Sequence, residues 1–433
     1  MIHQAQPEPV TISQLGLALA SSMTFLACDH RLDAPDTWNN QDQNAIARLA
    51  NRIHEGQLKR RFGFLVLGLL SLILASTKAP WSVGHLSLSK VFFLSWITLP
   101  VVSLSWSRNL RLSIRRLAPW LITIIAGVEV GLHLRTLQIL WIVLITCSVS
   151  LLLGFLNEFC RLGRSRMRRR TYRFAGTLHP NQQGALCLML IGVSAYLMFF
   201  GFLSPQVGYA ILLVASFTLT LTGSRSALWA TLSSISISVL IVQWRAPNAK
   251  AFALLVMKIA LIGTFSRLGQ LAFQKYLGHI YGDSPIRRFI EFRNQNLQAR
   301  LLSANGRVVL WRYVISATRN RRLLGGGYGA FWDTDRLVEA RQYTGWRFAE
   351  CHSIFLETFV STGATGLALL LLILVDMFVL SLHANGTDFL LVVGVLTTVL
   401  VHGAVESTFA QPCFPSFVVA ALCAAALPVA FPT

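Results

Sequence analysis

The chain has 433 residues, of which 54% are hydrophobic and only 13% charged. Soluble domains carry about a quarter charged residues, so soluble dinucleotide-binding enzymes, disordered chains and disulfide scaffolds are excluded, and an all-α, polytopic membrane helix bundle remains. Lys+Arg 38 against Asp+Glu 18 leaves a net charge of +20 on segments too short for a nucleic-acid module, so the expected partners are anionic lipid headgroups or a phosphate-bearing substrate, with no nucleic acid.

A helix crossing a ~30 Å hydrocarbon core needs about 20 apolar residues. The first candidate, 14–28, is weak. Its end, Phe25-Leu26-Ala27-Cys28, imitates a lipoprotein cleavage site, but no Lys or Arg precedes it, as a signal n-region requires. Stronger spans follow near 62–77, 89–105, 117–132, 136–156, 184–202, 206–222, 226–243 and 251–267, then 363–382, 387–409 and 413–431. The count is eleven helices, or twelve with 14–28, and in the latter case one large loop separates the ninth from the tenth. The chain therefore divides into an N-terminal segment (1–61), helices two to nine (62–267), the loop (268–351) and helices ten to twelve (352–433). The seven cysteines, Cys28, Cys147, Cys160, Cys187, Cys351, Cys413 and Cys423, form no C-x-x-C and lie mostly in apolar spans, where they serve as small hydrophobes.

Lys59-Arg60-Arg61, the stretch Arg108 to Arg116 and the stretch Arg161 to Arg173 are basic and separated by pairs of helices, so they share one side. Four further helices bring 268–351 to that same side. The positive-inside tendency makes it cytoplasmic if 14–28 does not span; if 14–28 spans from an internal N-terminus, it is periplasmic. Charge leaves both open.

Gly223-Ser224-Arg225-Ser226-Ala227 places an arginine between two apolar spans with almost no loop to hold it. Either it snorkels to headgroups, or the small neighbours let its planar fork turn inward onto phosphate oxygens. Gly306-Arg307 precedes an amphipathic patch in which Val308, Leu310, Trp311, Val314 and Ile315 share a predicted helix face. LLGGGYGAF, Leu323 to Phe331, follows; without a preceding strand or a Lys-Ser/Thr pair it reads as a tight turn rather than a phosphate loop. Asp333-Thr334-Asp335 has the spacing of a divalent-ion pair, but Arg336 balances it and no metal is expected. At Cys351-His352-Ser353 a neutral imidazole at a membrane boundary could deprotonate a sugar hydroxyl, with a structural role as the alternative. Glu357 orients it only if the backbone bends, with a structural hydrogen bond as the equal alternative. Glu129, Lys258, Asp376, His402 and Glu406 are charges or potential charges within spans. Lys258 with Glu129 or Asp376 reads as an ion pair locking helices, whereas Glu406, near a helix end, is placed to face a site.

The order of these pieces resembles the O-antigen ligase and polysaccharide polymerase superfamily of bacterial inner-membrane proteins. The matching motifs are SLSWS (Ser103 to Ser107), HPNQ (His179 to Gln182), GSRSA, GR-x-x-x-W (Gly306, Arg307, Trp311), LLGGGYGAF and HSIFLETFVSTGATG (His352 to Gly366), covering most of the chain from about residue 60. The resemblance implies a multi-pass inner-membrane protein of twelve helices whose large loop is periplasmic. It implies an inverting glycosyltransferase without metal or cofactor, moving a glycan from undecaprenyl pyrophosphate to an acceptor sugar hydroxyl. The acceptor would be lipid A-core for a ligase, or a growing polysaccharide for an O-antigen or exopolysaccharide polymerase. On this resemblance His352 is the catalytic base and Arg225 and Arg307 bind the pyrophosphate, with Glu357, Glu406 and Asn181 in support. The family more often has Asn where this chain has Ser353, which keeps a hydrogen-bonding group. A transporter or flippase of lipid-linked glycan is the other class open to the residues; its inverted repeats or broken helix pairs are not evident.

Overall fold

The computed structural model describes residues 10–29, 58–77, 88–161, 174–245, 307–344, 348–382 and 386–426. All regular structure among these residues is helical. The chain runs through α1 (Ile12–Asp29), α2 (Leu58–Ser76), α3 (Leu88–Val102), a 3-10 turn at Ser103–Trp106, α4 (Leu110–His133), α5 (Thr136–Arg161), α6 (Pro180–Phe199), α7 (Pro205–Thr222) and α8 (Arg225–Arg245). Then come α9 (Arg307–Ala317), α10 (Thr334–Thr344), α11 (Ile354–Leu382), α12 (Gly386–Val405), a 3-10 turn at Thr408–Ala410 and α13 (Phe414–Ala426).

Six of these helices are long and apolar enough to cross a bilayer, namely α4, α5, α6, α7, α11 and α12. The chain is thus a multi-pass membrane protein by length and composition. The expected spans at 14–28, 62–77, 89–105, 226–243 and 413–431 are present as helices α1, α2, α3, α8 and α13 but do not meet that measure among the described residues. The span at 251–267, Lys258 and the loop up to 306 lie outside the described residues, as does the basic run from 162 to 173. The apolar arm expected to begin at 363 does so: Gly363 (φ 72, ψ −164) breaks α11, Ala364 N and Thr365 N donate to Arg322 O and Leu323 O, and a shorter arm from Ile354 precedes the break.

Helix packing follows small residues. In α4, Gly127 and Gly131 face α13 so closely that a Cβ at Gly127 would stand 2.5 Å from the Phe417 carbonyl oxygen, and one at Gly131 2.7 Å from Ala424 Cβ. In a membrane, where burial supplies little drive between helices, such close approach is what gains dispersion energy. Phe25, Phe64, Phe414 and Phe417 then tie α1 and α2 to α13.

The segment between α8 and α11 carries its own small core, which includes Leu310, Tyr313, Val314, Trp332, Leu337 and Ala340. The buried face of α9 differs from the expected one: Val308 and Ile315 are 39% and 50% exposed, and Tyr313 takes the inward position. A phenol can be turned inward because its hydroxyl is satisfied, here by Glu339 Oε2 at 3.0 Å. The glycine-rich stretch behaves as the tight turn expected of it. Gly327 has φ 94, and a Cβ there would lie 2.6 Å from Ser107 Cα. Its amides are spent on protein: Gly326 N and Gly327 N donate to Val360 O and Ser361 O at 2.9 and 3.0 Å, while Arg108 N donates to Gly326 O at 3.0 Å. Trp106 Nε1 and Arg116 Nη1 donate to the carbonyls of Leu324 and Gly329, at 2.9 and 2.6 Å. The turn therefore clamps the kinked start of α11 against the corner between α3 and α4.

Candidate functional site

His352 occupies the short segment between α10 and α11 and has φ 49, the only positive φ of a non-glycine residue among those described. Backbone in this region persists only where its surroundings enforce it. Here both flanking peptides are held. Cys351 N donates to Glu357 Oε2 at 2.8 Å, Trp311 Nε1 donates to Cys351 O at 2.9 Å, and Ser353 N donates to Ser407 Oγ at 3.0 Å. Glu357 does bend back, but it grips the backbone before the histidine and, at 3.4 Å, Trp332 Nε1. It does not orient the imidazole.

That task falls to Glu406, which follows the last residue of α12 and is 4% exposed. Its Oε2 lies 3.2 Å from His352 Nδ1. Its Oε1 accepts from Asn181 Nδ2 at 2.7 Å, from Ser226 Oγ at 3.4 Å and from Arg307 Nη2. Local chemistry places each donor. Asn181 stands in the first turn of α6, where Pro180 opens the helix and His179 caps it by accepting from Asn181 N at 3.2 Å. Gly223 ends α7 in the left-handed conformation (φ 62), so the chain turns at once into α8 with Ser224 and Ser226 inward. Arg225 lies between these two serines on the exposed side, and the serine after it reaches the carboxylate. Arg307 opens α9.

A second carboxylate, Glu350, also approaches the imidazole, with Oε1 3.3 Å from Nδ1, while its other oxygen accepts from Gln411 Nε2. The three acid–base groups are driven apart. Burial alone would raise Glu406, but the hydrogen bond from His352 and the Arg307 guanidinium outweigh it and hold the carboxyl down at about 2. Burial pushes Glu350 up to about 7, against the pull of His352 and with help from the Glu406 charge. For His352, burial would lower the value, yet Glu350 and the Glu406 hydrogen bond together raise it above the ordinary imidazole range. A carboxylate only accepts, so Nδ1 carries the proton and Nε2 of the neutral ring keeps a lone pair.

Glu350, His352 and Glu406 bring their donor atoms within 4.8 Å of one another and are the residues among those described that would hold a divalent ion. In the present arrangement a fixed cation, Arg307, already neutralises Glu406. The Asp333-Thr334-Asp335 stretch has a different use: Asp333 Oδ1 caps α10 by accepting from Arg336 N at 2.9 Å, and the Arg336 guanidinium pairs with Glu339 at 2.6 Å. Of the other charges within spans, Glu129 lies 3.8 Å from His133 Nδ1 on the same helix, and Asp376 is half-buried on α11. His402, one turn before Glu406, is fully buried against the Phe409 ring, and neither ring nitrogen has a hydrogen-bond partner among the described residues. The structure thus brings His352, Arg307, Glu406 and Asn181 together, sets Arg225 beside them and gives Glu357 a backbone role. It adds Glu350, Ser226 and Gln411, of which Ser226 alone stands in a stretch, GSRSA, that the sequence marks out.

Residues 210–371 match the family model described as O-antigen ligase. The matched stretch contains Arg225, Ser226, Arg307, Glu350 and His352, while Asn181 and Glu406 lie outside it. No curated protein matches the chain significantly. The family match, carried by a segment that holds the histidine and both candidate arginines, supports the O-antigen ligase-like superfamily for this chain.

Proposed function

We propose that the protein is an inverting, metal-independent glycosyltransferase of the bacterial inner membrane, an O-antigen ligase that moves a glycan from undecaprenyl pyrophosphate to a sugar hydroxyl of lipid A-core. The observation that carries this reading is the chain of contacts from Arg307 through Glu406 to His352 Nδ1. Glu406 fixes the tautomer, so Nε2 takes the proton of the acceptor hydroxyl as its oxygen bonds to the anomeric carbon. The bond from that carbon to the pyrophosphate oxygen breaks on the opposite face, and the electron pair leaves with the pyrophosphate. One displacement inverts the anomeric centre. Pyrophosphate is already ionised and needs cations to absorb its growing charge, not an acid. A guanidinium has five N–H donors; Arg307 spends one nitrogen on Glu406 and offers the rest, with Arg225 one residue from Ser226 as the second clamp.

The test is a cell lacking this protein, complemented with the wild-type chain or with His352→Ala. A ligase predicts loss of all long chains from lipid A-core, accumulation of carrier-linked polymer, and no rescue by the variant. Single repeat units left on the core, or loss of an exopolysaccharide, would instead identify a polymerase using the same donor chemistry. Full rescue by His352→Ala would sink the assignment of the base.

A further inference from the structure

The face of α9 that turns away from its core carries charge. Leu310, Tyr313 and Val314 point inward, while Val308, Arg312 and Ile315 follow one another at helical spacing on the opposite side and are exposed. Arg319, in a 3-10 turn at Arg319–Arg321, and Arg322 after it extend that exposed line. Among the described residues no carboxylate pairs with Arg312, Arg319 or Arg322.

This line runs to the end of the membrane helices. Leu323 and Leu324, next in the chain, are 73% and 48% exposed. Leu323 O accepts from Thr365 N at 3.3 Å, at the start of the apolar arm of α11. Leu324 O accepts from Trp106 Nε1, just beyond α3, and Arg321 Nη1 donates to Trp106 O at 3.3 Å. On the same corner Arg108 and Arg111 are exposed, beside the exposed Leu110 and Ile114 of α4. Open aliphatic side chains next to guanidiniums suit the headgroup zone of a bilayer, where apolar groups and arginine stems lie against hydrocarbon and the charged heads meet phosphate.

The distribution of charge selects the occupant. A pocket for one phosphorylated ligand gathers its guanidiniums on a point, as a bidentate clamp requires. Here the arginines are strung singly between Val308, Ile315, Leu323 and Leu324, so each meets a different headgroup. We propose that the outer face of α9 and the turn after it lie on the adjoining leaflet and bind anionic phospholipid headgroups. The start of the same helix brings Arg307 to Glu406, so lipid contact along α9 steadies the segment that supplies the site with its cation. The proposal goes beyond the transferase reading and does not depend on it.

The test offers the full chain, in detergent micelles, equal amounts of phosphatidylglycerol and phosphatidylcholine and measures the lipid retained per chain after gel filtration. The wild-type chain should retain phosphatidylglycerol about fivefold or more over phosphatidylcholine, since each arginine near an anionic headgroup layer favours association about fivefold. About 0.5 M salt should collapse that preference in the unaltered chain. Together, Arg312→Gln, Arg319→Gln and Arg322→Gln should bring the ratio to within about twofold of parity. The three Lys replacements at the same positions should keep it within about twofold of wild type, because scattered headgroups need a charge and not a fork. No preference in the wild-type chain, a preference indifferent to salt, or one unchanged by the Gln variant would overturn the proposal. Loss in the Lys variant as well would overturn it too, and would give this face to a single phosphorylated ligand such as the acceptor lipid. Lipid retention requires no transfer, so a chain that shows the expected ratios yet transfers nothing defeats the transferase reading alone.

Discussion

Replacing Glu406 with Gln tests the centre of the site at almost constant volume. Holding this carboxyl at about 2 rather than the ordinary 4.5 corresponds to about 3 kcal/mol in favour of its ionised form, supplied by His352 and Arg307. The amide keeps one oxygen for Arg307 and Asn181, but it turns an NH2 toward His352 Nδ1. To accept that bond the imidazole must move its proton to Nε2, and the lone pair needed for the acceptor hydroxyl is lost. Wrong-tautomer substitutions of this kind in other catalytic triads cost about 10⁴ in rate. Because His352 here is 20% exposed and Glu350 offers a second acceptor for Nδ1, we expect a smaller loss, about 10² to 10³ in kcat, or about 3 to 4 kcal/mol. The assay is transfer from a purified undecaprenyl-pyrophosphate glycan to lipid A-core under single-turnover conditions, with donor affinity measured separately and expected to change less than rate. Activity within threefold of wild type, in a variant that melts normally, would refute the orienting role of Glu406.

Three further outcomes follow from the geometry. The base works only as neutral imidazole, so kcat should rise with pH through the raised value of His352. The Glu350 anion is one cause of that elevation, so Glu350→Gln should move the acid limb of the pH–rate profile to lower pH, and an unchanged limb would remove Glu350 from the site's electrostatics. Transfer should survive exhaustive EDTA treatment; loss restored by a divalent ion would show that Glu350, His352 and Glu406 hold a metal. Gly127→Val forces α4 away from α13 and should destabilise the bundle by about 1–3 kcal/mol, read as a lower melting temperature in detergent; an unaltered melt would show that the two helices do not hold each other at this point.

The membrane helices were legible because an apolar run of helical length has few other uses, and α4, α5, α6, α7 and α12 fall close to where the hydropathy placed them. Less legible was anything decided by tertiary contact. Glu357, five residues after His352, was the nearby candidate for orienting it, yet the end of α12 delivers Glu406 from 54 residues away. Periodicity put Val308 and Ile315 on the buried face of α9, and could not foresee that Glu339 would make Tyr313 acceptable inside. Gly363 does open the apolar arm of α11, and what hydropathy does not show is the shorter arm from Ile354 that precedes the break. His352, Arg307, Glu406, Asn181 and Ser226 all stand in stretches that the sequence marks out, but Glu350 and Gln411 do not, and a sequence does not say which donors share a carboxylate.

That sharing has a consequence for assembly. One carboxylate gathers donors from α6, α8 and α9 and from the segment before α11. A chain whose membrane helices have assembled but whose segment between α8 and α11 has not docked lacks both Arg307 and His352 at Glu406. On the proposed reading, such a half-built molecule would have neither base nor clamp.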